Sequence, residues 1–270
     1  LEIRLQEYLE VKHVICVSNC TLGLQVLYKA LGLKGKVITT PFSFIATRSS
    51  LEWEGLTPIF SDIDDASWNL SPAKIQSDAL SDASAILGVH VYGNPCEVTA
   101  LERAAKDRGI PLIYDAAHAF GIKVNGQSVL TSGTGSVLSF HATKLFHTVE
   151  GGAIIVSDDR LANDIRKLIS FGSVDKEEQK VFGINAKLSE LHAAMGLAVL
   201  DDIDLILSRR RDLYQHYVEK LSGRFQTQKI RQGTTYNFAY FPILLDSAEM
   251  TERCIEALQS ESIHPRRYFY

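Results

Sequence analysis

Short apolar runs alternate with amphipathic stretches along the chain as far as Val156, and glycine or polar turns stand between them. His13 to Ser18 is a β-branched run of strand length. Ahead of it, Leu1, Leu5, Tyr8 and Leu9 have helical spacing. Asn19-Cys20-Thr21 then opens a helix through Leu31, which Gly32 and Gly35 close. The same alternation predicts strand Val37–Thr39, a helix near Ala46–Trp53, strand Pro58–Asp62 and a helix near Pro72–Leu80. Strand Ala85–His90, helix Thr99–Arg108 and strand Pro111–Tyr114 follow, and strands Val137–Phe140 and Gly152–Val156 complete the set. Alternation of this kind predicts an α/β fold, a mostly parallel central sheet with helices on both faces.

The pattern then changes. A helix is predicted near Asp159–Phe171, and residues 172–183 are polar and charged, which predicts a loop. Ser189 to Ser222 reads as a long helical stretch with a break near Asp201–Asp204. Tyr236–Leu245 is predicted as a strand and Ser247–Glu261 as a helix. Residues 1–220 are therefore expected to form a large domain, and 221–270 the start of a smaller C-terminal α+β domain. There is no internal repeat and no low-complexity segment.

Composition narrows the partners. Lys plus Arg number 28 against 32 Asp plus Glu, a net charge of −4, which gives no electrostatic reason to expect nucleic acid or a membrane surface. No apolar run approaches membrane-spanning length. Cys16, Cys20, Cys96 and Cys254 form no CxxC pair and fit a reducing cytoplasm better than a disulfide framework. Cys16 and Cys20 fall in a strand and in the turn after it, so no metal site is expected.

The candidate chemistry lies between Tyr114 and Lys144. One apolar run ends in Asp115, with His118 three residues on; a second, Ser136–Phe140, leads into His141-Ala142-Thr143-Lys144. In an open α/β sheet ligands bind beyond the carboxyl ends of the strands, where both Asp115 and Lys144 would stand. An acid and a lysine so placed suit pyridoxal phosphate. The lysine amine forms an imine with the aldehyde, and the acid keeps the pyridine nitrogen protonated. Such a lysine needs an apolar pocket or a nearby cation to lower its pKa, and Leu145 and Phe146 would supply apolar walls. Taken bare, the pair reads more readily as a salt bridge or as solvated charges than as a cofactor site, and a helix cap is the alternative for Asp115. Asn19-Cys20-Thr21, between strand and helix, offers free amides to an anion; the alternative is a plain N-cap.

Ser-Phe-His-Ala-Thr-Lys (139–144), Tyr-Asp-Ala-Ala-His-Ala (114–119) and Glu150-Gly151-Gly152 resemble the DegT/DnrJ-type sugar aminotransferases, and the resemblance runs through nearly all of the chain. It implies the three-layer fold of type I pyridoxal-phosphate enzymes. Lys144 would carry the cofactor, Asp115 would meet its ring nitrogen, and His118 would contact the ring or its phenolic oxygen. Cys20, Thr21 and Ser139 would hold the phosphate, although Cys20 stands where relatives usually have glycine. Phe44 would stack on the ring, with Phe42 as its rival. Asn185, in Gly183-Ile184-Asn185-Ala186-Lys187, would reach the phosphate of a neighbouring subunit, which implies a homodimer with shared active sites.

The resemblance further implies L-glutamate as amino donor and a nucleotide-linked keto sugar as acceptor, with a dTDP-4-keto-6-deoxyhexose favoured. Amination at C3, sugar dehydration and a non-catalytic regulatory or scaffold protein are the alternatives. Lysine at 144, where the family's dehydratases have histidine, favours transamination. His264 and Arg266-Arg267-Tyr268 match a segment near the sugar. Arg209-Arg210-Arg211 reads as a solvated helix face or a diphosphate contact. Relatives are expected to extend further at both termini.

Overall fold

In the computed structural model, which describes residues 1–172 and 182–269, the apolar runs assemble into one seven-stranded sheet. In chain order its strands are β1 (His13–Val17), β2 (Lys36–Thr39), β3 (Thr57–Phe60), β4 (Ala83–Val89) and β5 (Leu112–Asp115). A small hairpin, β6 (Lys123–Val124) and β7 (Gln127–Ser128), precedes β8 (Gly135–Ser139) and β9 (Gly152–Val156). The sheet order is β1-β9-β8-β5-β4-β2-β3. Neighbours are parallel from β8 through to β3, while β9 runs antiparallel to both β1 and β8. The sheet is thus mostly parallel, as expected.

Both faces are covered, which is why the strands read as continuous apolar runs rather than alternating ones. Val14, Cys16, Leu138, Ala153 and Ile155 face one core, shared with Leu5 and Leu9 of helix α1 (Glu2–Leu9). Ile15, Val17, Val137, Ile154 and Val156 face the other, against α2 (Cys20–Ala30), Leu51 of α3 (Ile45–Trp53) and, further along the chain, helix 159–168. The period of two along each strand assigns its residues to these faces.

The remaining helices are α4 (Ser77–Asp82), α5 (Val98–Arg108), α6 (Asp159–Leu168), α7 (Glu190–Asp201), α8 (Ile203–Leu221) and α9 (Ala248–Ser260). The expected break in the long helical stretch falls at Asp202, between α7 and α8. The predicted helix Pro72–Leu80 is instead a 3₁₀ turn at Pro72–Lys74 followed by α4. Most of the loop expected at 172–183 lies outside the described residues.

One expectation fails. Tyr236–Leu245 is not a strand: only Ile243–Leu244 (β12) pairs, with β10 (Gln226–Thr227), while β11 (Thr234–Thr235) pairs with β6. The aromatic alternation in Tyr236-Asn237-Phe238-Ala239-Tyr240 looks like a strand, but its side chains are spent on tertiary contacts. Tyr236 donates its hydroxyl to Tyr92 O at 2.7 Å, and Asn237 Nδ2 donates to His118 O and Phe120 O at 3.0 and 2.9 Å. Phe238 takes a positive φ of 55°, outside the β region that a regular strand requires.

Candidate active site

A cavity of about 730 Å³ opens at the carboxyl ends of the central strands, within the size range of small-molecule sites. Asp115 and Lys144 both line it. β5 and β8 are neighbours, with Asp115 opposite Val137; Lys144 lies five residues beyond the end of β8, in a turn closed by its own amide on His141 O.

Asp115 continues the Ile113 side of β5, the face covered by α2 and α3, so Thr47 of α3 can reach it. Thr47 Oγ1 donates to Asp115 Oδ2 at 2.7 Å and the Ala117 amide to Oδ1 at 3.1 Å. Asp115 as a residue is 6% exposed. Burial pushes its pKa up, and the Thr47 and Ala117 hydrogen bonds and the Lys144 charge pull it back. No described Lys, Arg or His comes within ion-pairing distance of it. A buried acid without a cationic partner is a costly arrangement and suits a protonated ring nitrogen.

Burial likewise lowers the Lys144 pKa; Asp115 and Cys20 oppose the shift and the Arg266 charge adds to it. The shift favours the free amine that reaction with an aldehyde requires. Lys144 Nζ donates to the Tyr240 hydroxyl at 3.4 Å.

The anion-binding end is built by sheet register. Val17 and Ser139 both lie opposite Gly152, so β1, β9 and β8 end in one row. The chain leaves β1 and turns over Gly152 to begin α2. A Cβ on Gly152 would sit 2.8 Å from Asn19 C, Cys20 N and Leu138 O, so only glycine lets the turn close. Asn19 Oδ1 accepts the Leu22 amide at 2.8 Å and caps the helix, leaving the amides of Cys20 and Thr21 at the positive end of its dipole. Asn19, Cys20, Thr21 and Ser139 all line the cavity. Cys20 Sγ turns toward Val137 O, and burial raises its thiol pKa well above the ordinary value.

His118 is held as the neutral Nε2–H form. The Tyr92 amide donates to its Nδ1 at 3.2 Å, and burial first, then the Lys144 and Arg266 charges, depress its pKa well below the usual range. Its ring stacks on Tyr92 at 6.0 Å and lies 4.5 Å from Tyr240.

Phe44 lines the cavity and is 62% exposed, so it does not serve as core. Phe42 turns away and stacks on Phe269 at 3.8 Å. Asn185 lies outside this cavity, exposed, its Oδ1 accepting from Lys187 Nζ at 2.8 Å. Arg210 donates to Ala239 O, Arg211 to Ser208, and none of Arg209–Arg211 lines the cavity. Arg266 and Tyr268 line it, with the Arg266 guanidinium 4.9 Å over the Tyr268 ring; His264 does not.

Thr47, Tyr92 and Tyr240 were not singled out from the sequence. Thr47 follows Phe44 by three residues in the same motif, a spacing that would have marked it. Nothing in the local pattern marks Tyr240. No described helix is long and apolar enough to cross a membrane.

The buried acid, the amine of lowered pKa, the capped helix terminus and the row of β1, β9 and β8 together fit pyridoxal phosphate. Comparison with known proteins leads to the same chemistry. The profile of the DegT/DnrJ/EryC1/StrS aminotransferase family matches residues 1–270. A dTDP-4-amino-4,6-dideoxy-D-glucose transaminase of Shigella dysenteriae is 41% identical over all of this chain and 75% of its own length. A GDP-perosamine synthase of Escherichia coli O157:H7 is 31% identical over all of this chain and 75% of its own. The crystal structure of DesI with its TDP-sugar product superposes with a TM-score of 0.90 at 36% identity, covering 99% of this chain and 70% of that one.

Proposed function

The chain belongs to the DegT/DnrJ/EryC1/StrS aminotransferase family, and from that premise we propose that it transfers the amino group of L-glutamate to a nucleotide-linked keto sugar. The acceptor we favour is a dTDP-4-keto-6-deoxyhexose, the class suggested by the Shigella relative's name. The observation that carries the reading is the meeting of Asp115 and Lys144 in one cavity at the ends of β5 and β8.

When bound, pyridoxal phosphate supplies an aldehyde that takes up the amino group and a ring that accepts the electrons left on the neighbouring carbon. Asp115 keeps the ring nitrogen protonated, and Thr47 and the Ala117 amide hold its carboxylate in place. Cys20 and Thr21, through their amides, and Ser139, through its hydroxyl, bind the phosphate. Phe44 would stack on the ring, and His118 Nε2–H would be a donor to the ring or its phenolic oxygen. Lys144 Nζ would take the proton from the α-carbon of glutamate as general base and give it up again as general acid, and with the sugar it would run the same transfer in reverse. Asn185 is assigned to the phosphate of a second subunit. The exposed apolar side chains around it, Phe182, Ile184 and Leu191, support a homodimer.

Borohydride reduction of the protein with bound pyridoxal phosphate, followed by peptide mapping, is expected to leave a pyridoxyl group on Lys144. Lys144→Ala is expected to lose that label and to lower turnover by about 10²- to 10⁴-fold. A folded wild-type protein labelled elsewhere would defeat the assignment.

A further inference from the structure

The segment 236–240, which the sheet does not build, packs behind the Tyr92, His118 and Lys144 side chains that line the cavity. Asn237 ties it to His118 O and Phe120 O, Tyr236 ties it to Tyr92 O, and Arg210 donates to Ala239 O at 3.3 Å. These ties bring the Tyr240 hydroxyl to 3.4 Å from Lys144 Nζ. The Tyr240 ring is boxed by His118 at 4.5 Å, Tyr92 at 5.4 Å and the Tyr268 edge at 6.0 Å, so the hydroxyl has little freedom to swing away.

We propose that Tyr240 is a positioning residue for the Lys144 amine, a role that rests on Lys144 being the lysine that moves the proton. A neutral amine has two N–H bonds and one lone pair. Giving one N–H to Tyr240 Oη restricts rotation about Cε–Nζ and keeps the lone pair toward the reacting carbon. The amine takes one proton from the α-carbon of the donor, becomes an ammonium, and returns one proton to the acceptor carbon, so it ends as it began. Orientation of such a group is worth much of its rate. Tyr240 itself is not the base. Burial first, then Tyr268, raises its phenol pKa far above the ordinary value, so it acts as a neutral hydroxyl throughout.

The other charged or titratable groups around Lys144 are Asp115 from β5, Cys20 from α2, His118 from the turn after β5 and Arg266 from the C-terminal segment. The His141–Glu150 pair lines the same cavity. Tyr240→Phe leaves these groups and the ring present and removes, besides the Lys144 contact, the hydroxyl's hydrogen bond with Tyr268.

The test follows Lys144 in cofactor-free protein by trace acylation across pH, read by mass spectrometry. The hydroxyl accepts more strongly from an ammonium than from an amine, so its loss should lower the Lys144 midpoint by about 1 pH unit. In the loaded enzyme, Tyr240→Phe should lower kcat about three- to tenfold, with KM for glutamate within about twofold. Tyr214→Phe removes a hydroxyl from the aromatic cluster behind the segment, where Tyr214 packs on Tyr236, Phe238 and Phe241, and should move neither quantity. An unmoved midpoint in Tyr240→Phe overturns the inference, and so does an equal shift in Tyr214→Phe. If borohydride labels Lys144 in wild type but the midpoint stays put, only the role of Tyr240 falls. If Lys144 goes unlabelled, both readings fall together.

Discussion

The two walls of the cavity are built by different physics. The wall carrying Asp115, Ser139 and the Asn19–Thr21 turn is an outgrowth of the sheet. Its residues stand where they do because Val17, Gly152 and Ser139 share a row and Asp115 ends the strand beside β8. The wall carrying Arg266 and Tyr268, backed by Tyr240, has little regular structure. It is hung from the first wall by the hydrogen bonds of Tyr236 and Asn237 and by aromatic contacts. Strand register tolerates almost no displacement, since a one-residue slip reverses every side chain. A few side-chain hydrogen bonds tolerate more. The contrast suits a division of labour in which the first wall fixes the cofactor and the second adapts to what reacts with it.

The largest effect that sharpens the contrast comes from Asp115→Asn. The amide preserves size and can still accept from Thr47, but it cannot support a protonated ring nitrogen. Turnover should fall about 10²- to 10³-fold, the usual consequence of removing one preorganised electrostatic partner. Cofactor affinity should change far less, as measured by equilibrium dialysis. An Asn variant with wild-type turnover would break the assignment of this wall to the ring.

Gly152→Ala tests the register row without touching a reacting group. The new Cβ meets backbone on three sides at 2.8 Å, so the Asn19–Cys20 turn must shift. Overpacking of this kind costs about 1–3 kcal/mol. If it falls on the bound state, the dissociation constant for pyridoxal phosphate rises about fivefold to 150-fold, with kcat at saturating cofactor nearly unchanged. Unaltered affinity would mean that the turn does not hold the phosphate.

The same division explains what could be read from the sequence. Asp115, Lys144 and the Asn19–Thr21 turn sit at the ends of apolar runs, and strand ends are visible as changes in local pattern. Their convergence follows from parallel pairing, which the alternation of strands and helices implies. Phe42 and Phe44 stand in the same short loop with the same local pattern, and only tertiary packing distinguishes their surroundings: Phe42 stacks on Phe269 while Phe44 lines the cavity. Tyr240 was hidden for a different reason. Its segment has the aromatic alternation of a strand, while its conformation is set by Tyr92, His118 and Phe120, more than a hundred residues away in sequence. Propensity describes a surface to be packed, and here the surface was packed by something other than a neighbouring strand.

The smallest expected effect probes the attachment of the second wall. Asn237 is 2% exposed and uses its whole amide: Nδ2 serves two carbonyls, and Oδ1 accepts the Ala239 amide at 3.2 Å. Asn237→Ala leaves these backbone groups without that partner, a loss of about 1–3 kcal/mol. In a chain of this size that corresponds to roughly 2–10 °C in melting temperature. Because the sheet-built wall does not depend on Asn237, affinity for pyridoxal phosphate should stay within about threefold of wild type. The Tyr240–Lys144 contact does depend on it, so kcat should fall about as far as in Tyr240→Phe, and the double variant should fall little further, as expected of two changes acting through one contact. Additive losses would show that Asn237 holds the wall for some purpose other than placing Tyr240, whereas a loss of cofactor affinity as large as that of Gly152→Ala would show that the two walls are one structural unit after all.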